Sequence, residues 1–358
     1  MHLPEFELYK PGQTNNFVSN IKYLLIIFIL SAIFFAGCNM KKEFLISGNT
    51  MGTTYHIKVI AWPFKNITSL KKRIDLKLDS INKSMSTYRK DSEISKFNKQ
   101  QDINKKFYIT DDFMQVMLVA EKLYQMTQGA WDGTLQPLVN LWGFGSKQRD
   151  NKIPEKSEIK KVLSHIGFEN IQITGNNYLM KKKPCISLDL ASIAKGFAVD
   201  QIAKLIENDN IYDYVVEIGG ETYASGVKKK GNYWKVGINM PNKAALFDQV
   251  YKIIKLHNKA LATSGDYRIF FEKNGQRFCH ILDYKTGYPV SNGVISASVI
   301  ADTCTFADGL ATALMVLGHH KGIELVNRLN NVECFIIVQG KNSSLLNYSS
   351  KGFPLLKQ

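Results

Sequence analysis

Three strand-like segments follow one another in the second half of this chain with no helix between them. Tyr212–Ile218, Trp234–Asn239 and Gln249–Leu256 are short, rich in β-branched and aromatic residues, and bounded by turn residues. Asn274-Gly275 then separates Ile269–Glu272 from Arg277–Leu282, the dipeptide that supplies two positive φ values for a tight hairpin. A doubly wound sheet needs a crossover helix between successive strands, so this pattern excludes one. Helices are interspersed all the same: Ile67–Lys83 is charged and amphipathic, and Thr110 precedes Phe113, Val116, Met117, Ala120, Leu123 and Tyr124 at helical spacing, ending at Gly129. Two more are expected to start near Asp189 and Thr305. The class is α+β, with mixed, largely antiparallel sheets and packed helices. Thr53–Trp62 opens the body as a half-buried strand, and Val332–Val338 closes it as a core strand.

The N-terminus fixes where such a body works. Lys22 precedes the apolar run Tyr23–Gly37, of signal-peptide length and short for a membrane span. The run ends Phe35-Ala36-Gly37-Cys38, which resembles a bacterial lipoprotein processing site with Phe35 where Leu is usual. Residues 1–37 are therefore expected to be a lipoprotein signal, Cys38 the lipidated residue, 38–46 a tether and 47–358 the folded domain, the alternative being an ordinary cleaved signal or a short membrane anchor. The expected location is the cell envelope, anchored to a membrane and facing the periplasm or exterior. Cys185, Cys279, Cys304 and Cys334 lie far apart without C-x-x-C spacing, so buried free thiols are the simplest expectation. The formal charge of +15 favours anionic ligands or surfaces. No zinc-finger spacing or arginine-rich run supports nucleic acid as a partner.

Candidate chemistry clusters in four places. Asp308 and Thr312 stand four residues apart on an expected helix, so both can present oxygen to one hard cation such as Mg²⁺. The competing reading places Asp308 against the helix dipole and Thr312 in the core. Leu188–Asp200 sets Asp189 before a helix, Ser192 in its first turn and Lys195-Gly196 within it, the makings of an anion site or of an ordinary capped helix. A glycine inside a helix costs about 1 kcal/mol against Ala, which suggests a close approach at Gly196. Val216–Gly226 ends a strand in two glycines and an acid, a tight turn or a surface against a ligand. His280 and Asp283 precede Thr286-Gly287-Tyr288-Pro289 at the end of the hairpin strand, where an imidazole can take a proton or serve structure alone.

Together with Thr50-Met51-Gly52-Thr53, Met85-Ser86-Thr87-Tyr88 and Gly129-Ala130-Trp131-Asp132-Gly133-Thr134, these segments resemble the ApbE family of FAD:protein FMN transferases, from about Ser47 to Gly340. No G-x-G-x-x-G follows a strand, so the flavin is not expected in a Rossmann crevice. The resemblance implies that Met51, Tyr88, Trp131, Asp132, Asp189, Lys195 and Ile281 contact FAD. It also implies a Mg²⁺ site between Asp308, Thr312 and Ser192, the last through its main-chain oxygen, with Glu217 and the adjacent glycines lining the cleft. Trp131, Tyr284 and Glu221 depart from the family's usual Phe, Pro and Asp or Asn.

The reaction so implied is attack of an acceptor threonine on the FMN phosphorus of FAD, with AMP leaving. His280 is the expected base and Asp283 its orienting partner. Alternatives are an FAD pyrophosphatase giving FMN and AMP, and a periplasmic FAD-binding lipoprotein without chemistry. By resemblance the acceptors are threonine-bearing subunits of membrane redox complexes, of the Na⁺-translocating NADH:quinone reductase or Rnf type.

Overall fold

The structure, a computed structural model, describes residues 22–23, 41–145, 152–228, 231–241, 249–266 and 269–354. Residues 43–60 and 66–358 form one compact unit, which is the subject below. Residues 1–42 and 61–65 separate as a second, small one, in whose described part Trp62 stacks on Phe64 with ring centroids 6.2 Å apart. Cys38 and the apolar run ahead of it lie outside the described residues. No described helix is long and apolar enough to cross a membrane.

An eight-stranded sheet frames the large unit. In spatial order it contains β1 (Lys42–Thr50), β2 (Thr53–Ala61), β6 (Tyr214–Ile218), β7 (Glu221–Ser225), β10 (Lys259–Gly265), β13 (Val294–Ala301), β14 (Glu333–Gln339) and β15 (Leu345–Ser349). Every neighbouring pair from β2 to β15 is antiparallel. Three smaller sheets complete the set: β3 (Phe107–Tyr108) with β4 (Ile171–Thr174) and β5 (Tyr178–Lys181), the ribbon β8 (Trp234–Asn239) and β9 (Val250–Leu256), and the hairpin β11 (Phe270–Lys273) and β12 (Gln276–Cys279). The hairpin turn has φ of 52° at Asn274 and 74° at Gly275, the two positive values its sequence predicts.

Seven helices occur among the described residues: α1 (Ile67–Met85), α2 (Glu93–Lys99), α3 (Asp111–Met126), α4 (Gln136–Leu141), α5 (Lys156–Leu163), α6 (Ala191–Glu207) and α7 (Cys304–Val326). Buried Leu70, Ile74, Leu78, Ile81 and Met85 make the inward stripe of α1. All eight residues of β13 are buried because both faces of the sheet are covered there. Helices α6 and α7 pack on one face. On the other, Trp234, Ile238, Ile254 and Leu256 of the ribbon join Leu261, Ile300, Phe335 and Ile337 in one apolar cluster. The gap between ladder and ribbon is thereby closed by apolar area, worth roughly 1.5–3 kcal/mol per fully buried large side chain.

A second cluster gathers α4, α5 and the β11–β12 hairpin around Trp142, which packs on Phe271, Phe278 and Tyr288. Its indole N–H donates to the Gly287 carbonyl at 2.8 Å. That bond ties the segment after His280 to α4. Thr110 stands at the start of α3 as expected, but its hydroxyl donates to Glu93 instead of accepting from the helix. Cys279, Cys304 and Cys334 are buried free thiols, whereas Cys185 is exposed, in a turn with φ of 63° that lifts it off the core.

Candidate active site

A cleft of about 920 Å³ opens beside the edge where β6, β7 and β10 meet α6 and α7. Among its lining residues are Tyr88, Trp131, Asp132, Asp189, Ser192, Lys195, Glu217, His280, Ile281, Asp308 and Thr312. Segments as far apart in sequence as His56 and Val316 therefore converge on one surface. Met51 does not join them: it sits at φ 49° in the β1–β2 turn, in a separate shallow depression formed by residues 49–54. Asp283 is also outside the cleft lining, and its carboxylate accepts the Lys285 N–H at 2.9 Å.

The floor is set by the contact of α6 with α7. Asp200 reaches across from α6 and accepts the N–H groups of Cys304 at 2.8 Å and Thr305 at 2.9 Å. It thereby serves the N-terminal dipole of α7, and Asp308 is left to face the other way. The Asp308 carboxylate, 2% exposed, accepts the Gly196 N–H at 3.0 Å and lies 4.0 Å from the Lys195 ammonium. In a regular α-helix the Gly196 amide belongs to the Ser192 carbonyl, so this bond brings the Ser192 backbone oxygen and Asp308 to one corner. A Cβ on Gly196 would stand 2.3 Å from the Cys304 carbonyl oxygen, which is the close approach that explains a mid-helix glycine.

Lys195 also pairs with Glu221 at 3.1 Å. Glu221 is 4% exposed, and one of its oxygens has no partner. Burial raises the pKa of Asp308 and of Glu221 against the pull of Lys195. For Lys195 burial works against the charge, but the two carboxylates outweigh it and hold the pKa above the ordinary lysine range. Two buried carboxylates share one ammonium, so with both ionised the floor would be one positive charge short; their raised pKa values favour a proton there, the place a bound cation would take. Thr312 adds a hydroxyl, hydrogen-bonded to Ser264 at 2.9 Å. Among the described residues no three His, Cys, Asp or Glu side chains gather as a metal cluster. The set that fits a cation here is one carboxylate with hydroxyl and backbone oxygens, which suits a hard divalent ion.

The walls are built to hold a flat, partly apolar ligand. Trp131 is buried and its indole N–H donates to the Ser192 hydroxyl at 3.0 Å. Asp132 bonds through one oxygen to the Thr134 N–H at 2.8 Å and hydroxyl at 2.6 Å, while its other oxygen is buried without a partner. Burial pushes Asp132 up to about 6. Asp189 accepts the Ala191 N–H at 2.9 Å and so caps α6 from beside the cleft. Tyr88 projects from the rim, 76% exposed. Ile281 is buried, and His280 turns Nδ1 to the Ile269 carbonyl at 3.2 Å. With Nδ1 donating, Nε2 is the unprotonated acceptor. Burial also lowers the His280 pKa, opposed by the Ile269 bond and assisted by Lys195, so the neutral base form dominates.

A family model described as the ApbE family matches residues 51–336. The chain belongs to the ApbE family. It is 40% identical to an FAD:protein FMN transferase of Haemophilus influenzae over 91% of this chain and 95% of that one. Against the FAD:protein FMN transferase of Vibrio cholerae it is 40% identical, over 93% and 99%. Its fold superposes on the flavin transferase ApbE from Vibrio cholerae with a TM-score of 0.80 at 38% identity, covering 87% of this chain and 98% of that structure. The apo flavinyl transferase ApbE of Pseudomonas stutzeri gives 0.79 at 34%, covering 87% and 96%. These ApbE relatives share the mixed α+β fold, without a Rossmann crevice.

Ser264 and the Ile269 carbonyl had no motif to mark them, and Asp200 closes the Leu188–Asp200 segment without having been given a role. Asp200 could have been found as an acid one helix repeat beyond Lys195-Gly196, but its partner segment lies more than 100 residues away.

Proposed function

We propose that this chain is an Mg²⁺-dependent FAD:protein FMN transferase. An acceptor threonine hydroxyl attacks the FMN phosphorus of FAD, a new P–O ester bond forms, the pyrophosphate P–O bond breaks and AMP departs. The observation that carries the reading is the floor where buried Asp308 and Glu221 share the single ammonium of Lys195 beside Thr312, set in a cleft near the upper end of the roughly 300–1,000 Å³ range of ligand sites. Asp308, Thr312 and the Ser192 backbone oxygen would hold Mg²⁺, which supplies charge neutralisation at the bridging phosphates. Lys195 adds a fixed cation to the same place. Trp131, Ile281 and Tyr88 offer aromatic and apolar surface to the flat rings of FAD. His280 Nε2 takes the hydroxyl proton as the nucleophile attacks. Asp283 holds the turn behind it through its bond to Lys285, so its influence on His280 runs through the backbone.

The acceptors proposed are threonine-bearing subunits of membrane redox complexes of the Na⁺-translocating NADH:quinone reductase or Rnf type. Lipidation at Cys38 would hold the enzyme to a membrane of the cell envelope, facing the periplasm or exterior. Retention of a Cys38→Ala variant in the membrane fraction would remove that part of the proposal. For the reaction, FAD and Mg²⁺ are incubated with and without acceptor while AMP is followed. Acceptor-dependent AMP release supports transfer; equal release of AMP and free FMN without acceptor identifies a pyrophosphatase, and intact bound FAD a carrier.

A further inference from the structure

The outward face of the β8–β9 ribbon plays no part in the floor chemistry, yet its composition is unusual. Register places Lys235 directly opposite Lys255, Gly237 opposite Ile253 and Asn239 opposite Val250. Like charges facing each other across a ladder oppose strand pairing. Both lysines are exposed, and among the described residues neither has a carboxylate partner. Ile253 and Val250 on the same face are 47% and 46% exposed. Trp234 and Ile254 occupy the inward face, so alternation fixes this outward set and a slip of register would bury the lysines.

The position of the face matters as much as its charge. Lys235, Gly237, Asn239 and Val250 also line the cleft, so the ribbon forms one lip of the opening. Lys228 stands over the Trp234 ring on that side as well, whereas the floor holds the buried carboxylates of Glu221 and Asp308. A macromolecule bringing its hydroxyl to the cleft must pass the basic lip. Lys255 is not among the cleft residues, so a ligand confined to the cleft leaves half of the lysine pair unanswered. A flat membrane surface likewise fails to reach the residues that turn into the opening.

We propose that the outward face of β8–β9 is the docking surface for the acceptor protein and receives an acidic, partly apolar segment beside the threonine that is modified. The inference rests on the transferase reading above. Lys235 and Lys255 answer carboxylates of that segment, and Val250 with Ile253 covers its apolar residues. Charged rims of this kind act chiefly on encounter and orientation.

The test uses the full chain in detergent, with a flavin-carrying subunit of a Na⁺-translocating NADH:quinone reductase as acceptor probe. Lys235→Glu with Lys255→Glu should lower kcat/KM for the acceptor about tenfold at low salt, through KM, with KM for FAD unchanged. Lys235→Arg with Lys255→Arg should restore it, and about 1 M salt should narrow the gap. Neutralising the carboxylates flanking the acceptor threonine should weaken the wild type but not the Glu variant further. A rise in KM for FAD alone would assign the lysines to FAD phosphates and overturn the proposal. So would unchanged kinetics accompanied by lost binding to phosphatidylglycerol vesicles, which would make the face a membrane contact. If the wild type modifies no acceptor, the transferase reading fails first and this inference falls with it.

Discussion

Replacing Gly196 by Ala separates the geometry of the floor from simple helix propensity, because the two predict opposite signs. Propensity alone favours Ala in a helix by about 1 kcal/mol. The structure places the added Cβ 2.3 Å from the Cys304 carbonyl oxygen, 2.6 Å from its carbon and 2.9 Å from Asp308 Cβ, where ordinary contact begins at 3.4 Å. Two of those neighbours are backbone, so no side chain can swing away. α6 and α7 must part by about 1 Å, an overpacking that costs about 1–3 kcal/mol. Set against the propensity gain, this leaves a net destabilisation of up to about 2 kcal/mol, which should lower Tm by up to roughly 3 °C in a unit of this size. The same shift lengthens the bond from the Gly196 N–H to Asp308, and hydrogen bonds to charged groups contribute about 1.5–3 kcal/mol. Mg²⁺ affinity should therefore fall about tenfold or more. Thermal unfolding and Mg²⁺ titration of transfer measure the two effects. Gly175→Ala is the control, since nothing lies within 4 Å of its added Cβ and its φ is not in the left-handed region. A Gly196→Ala protein with unchanged or raised Tm and wild-type Mg²⁺ dependence would refute the close-approach argument.

His280→Ala should reduce transfer about 10²- to 10⁴-fold while FAD binding, followed by flavin fluorescence, persists; an unaltered rate removes the imidazole from the mechanism. In the wild type the acid limb of kcat/KM should fall below the usual histidine range, because burial lowers this imidazole's pKa. Asp308→Asn should cost about a hundredfold or more in Mg²⁺-dependent transfer, and a variant equally active at low Mg²⁺ would displace Asp308 from the cation site. Asp132 is pushed from 3.8 up to about 6 by burial, so its stabilising share is present below about pH 3.8 and lost as pH rises through about 6. Asp132→Asn removes that loss, and without FAD it should gain about 3 kcal/mol on the wild type between about pH 4 and 7.5 in urea denaturation. Parallel pH profiles would show that Asp132 is not buried as described.

Much of this site was legible because its motifs are local. The strand Trp234–Asn239 and the turn Asn274-Gly275 follow from alternation and positive-φ chemistry that a few adjacent residues specify. Asp308 was ambiguous: its place in the first turns of α7 suited the dipole equally well. Asp200 resolves the choice by taking that role from another helix, a fact of tertiary packing with no local trace. Likewise β13 reads as an apolar run whose two-sided burial depends on the ribbon placed over it. Lys195 shows the converse. In sequence it could be an anion-site cation or a solvated helix lysine; the fold draws it between Glu221 and Asp308 because α6 and β7 meet at this corner. Met51 had a motif yet stands in the β1–β2 turn away from the cleft lining, since a motif marks a segment and not the direction of each side chain.

The central claim is tested most directly by intact mass of the acceptor together with AMP. The full chain, FAD, Mg²⁺ and the acceptor subunit should yield an acceptor heavier by one FMN and one AMP per modified acceptor, with neither product when its threonine is changed to Ala. AMP accumulating beside free FMN, with the acceptor mass unchanged, would contradict it.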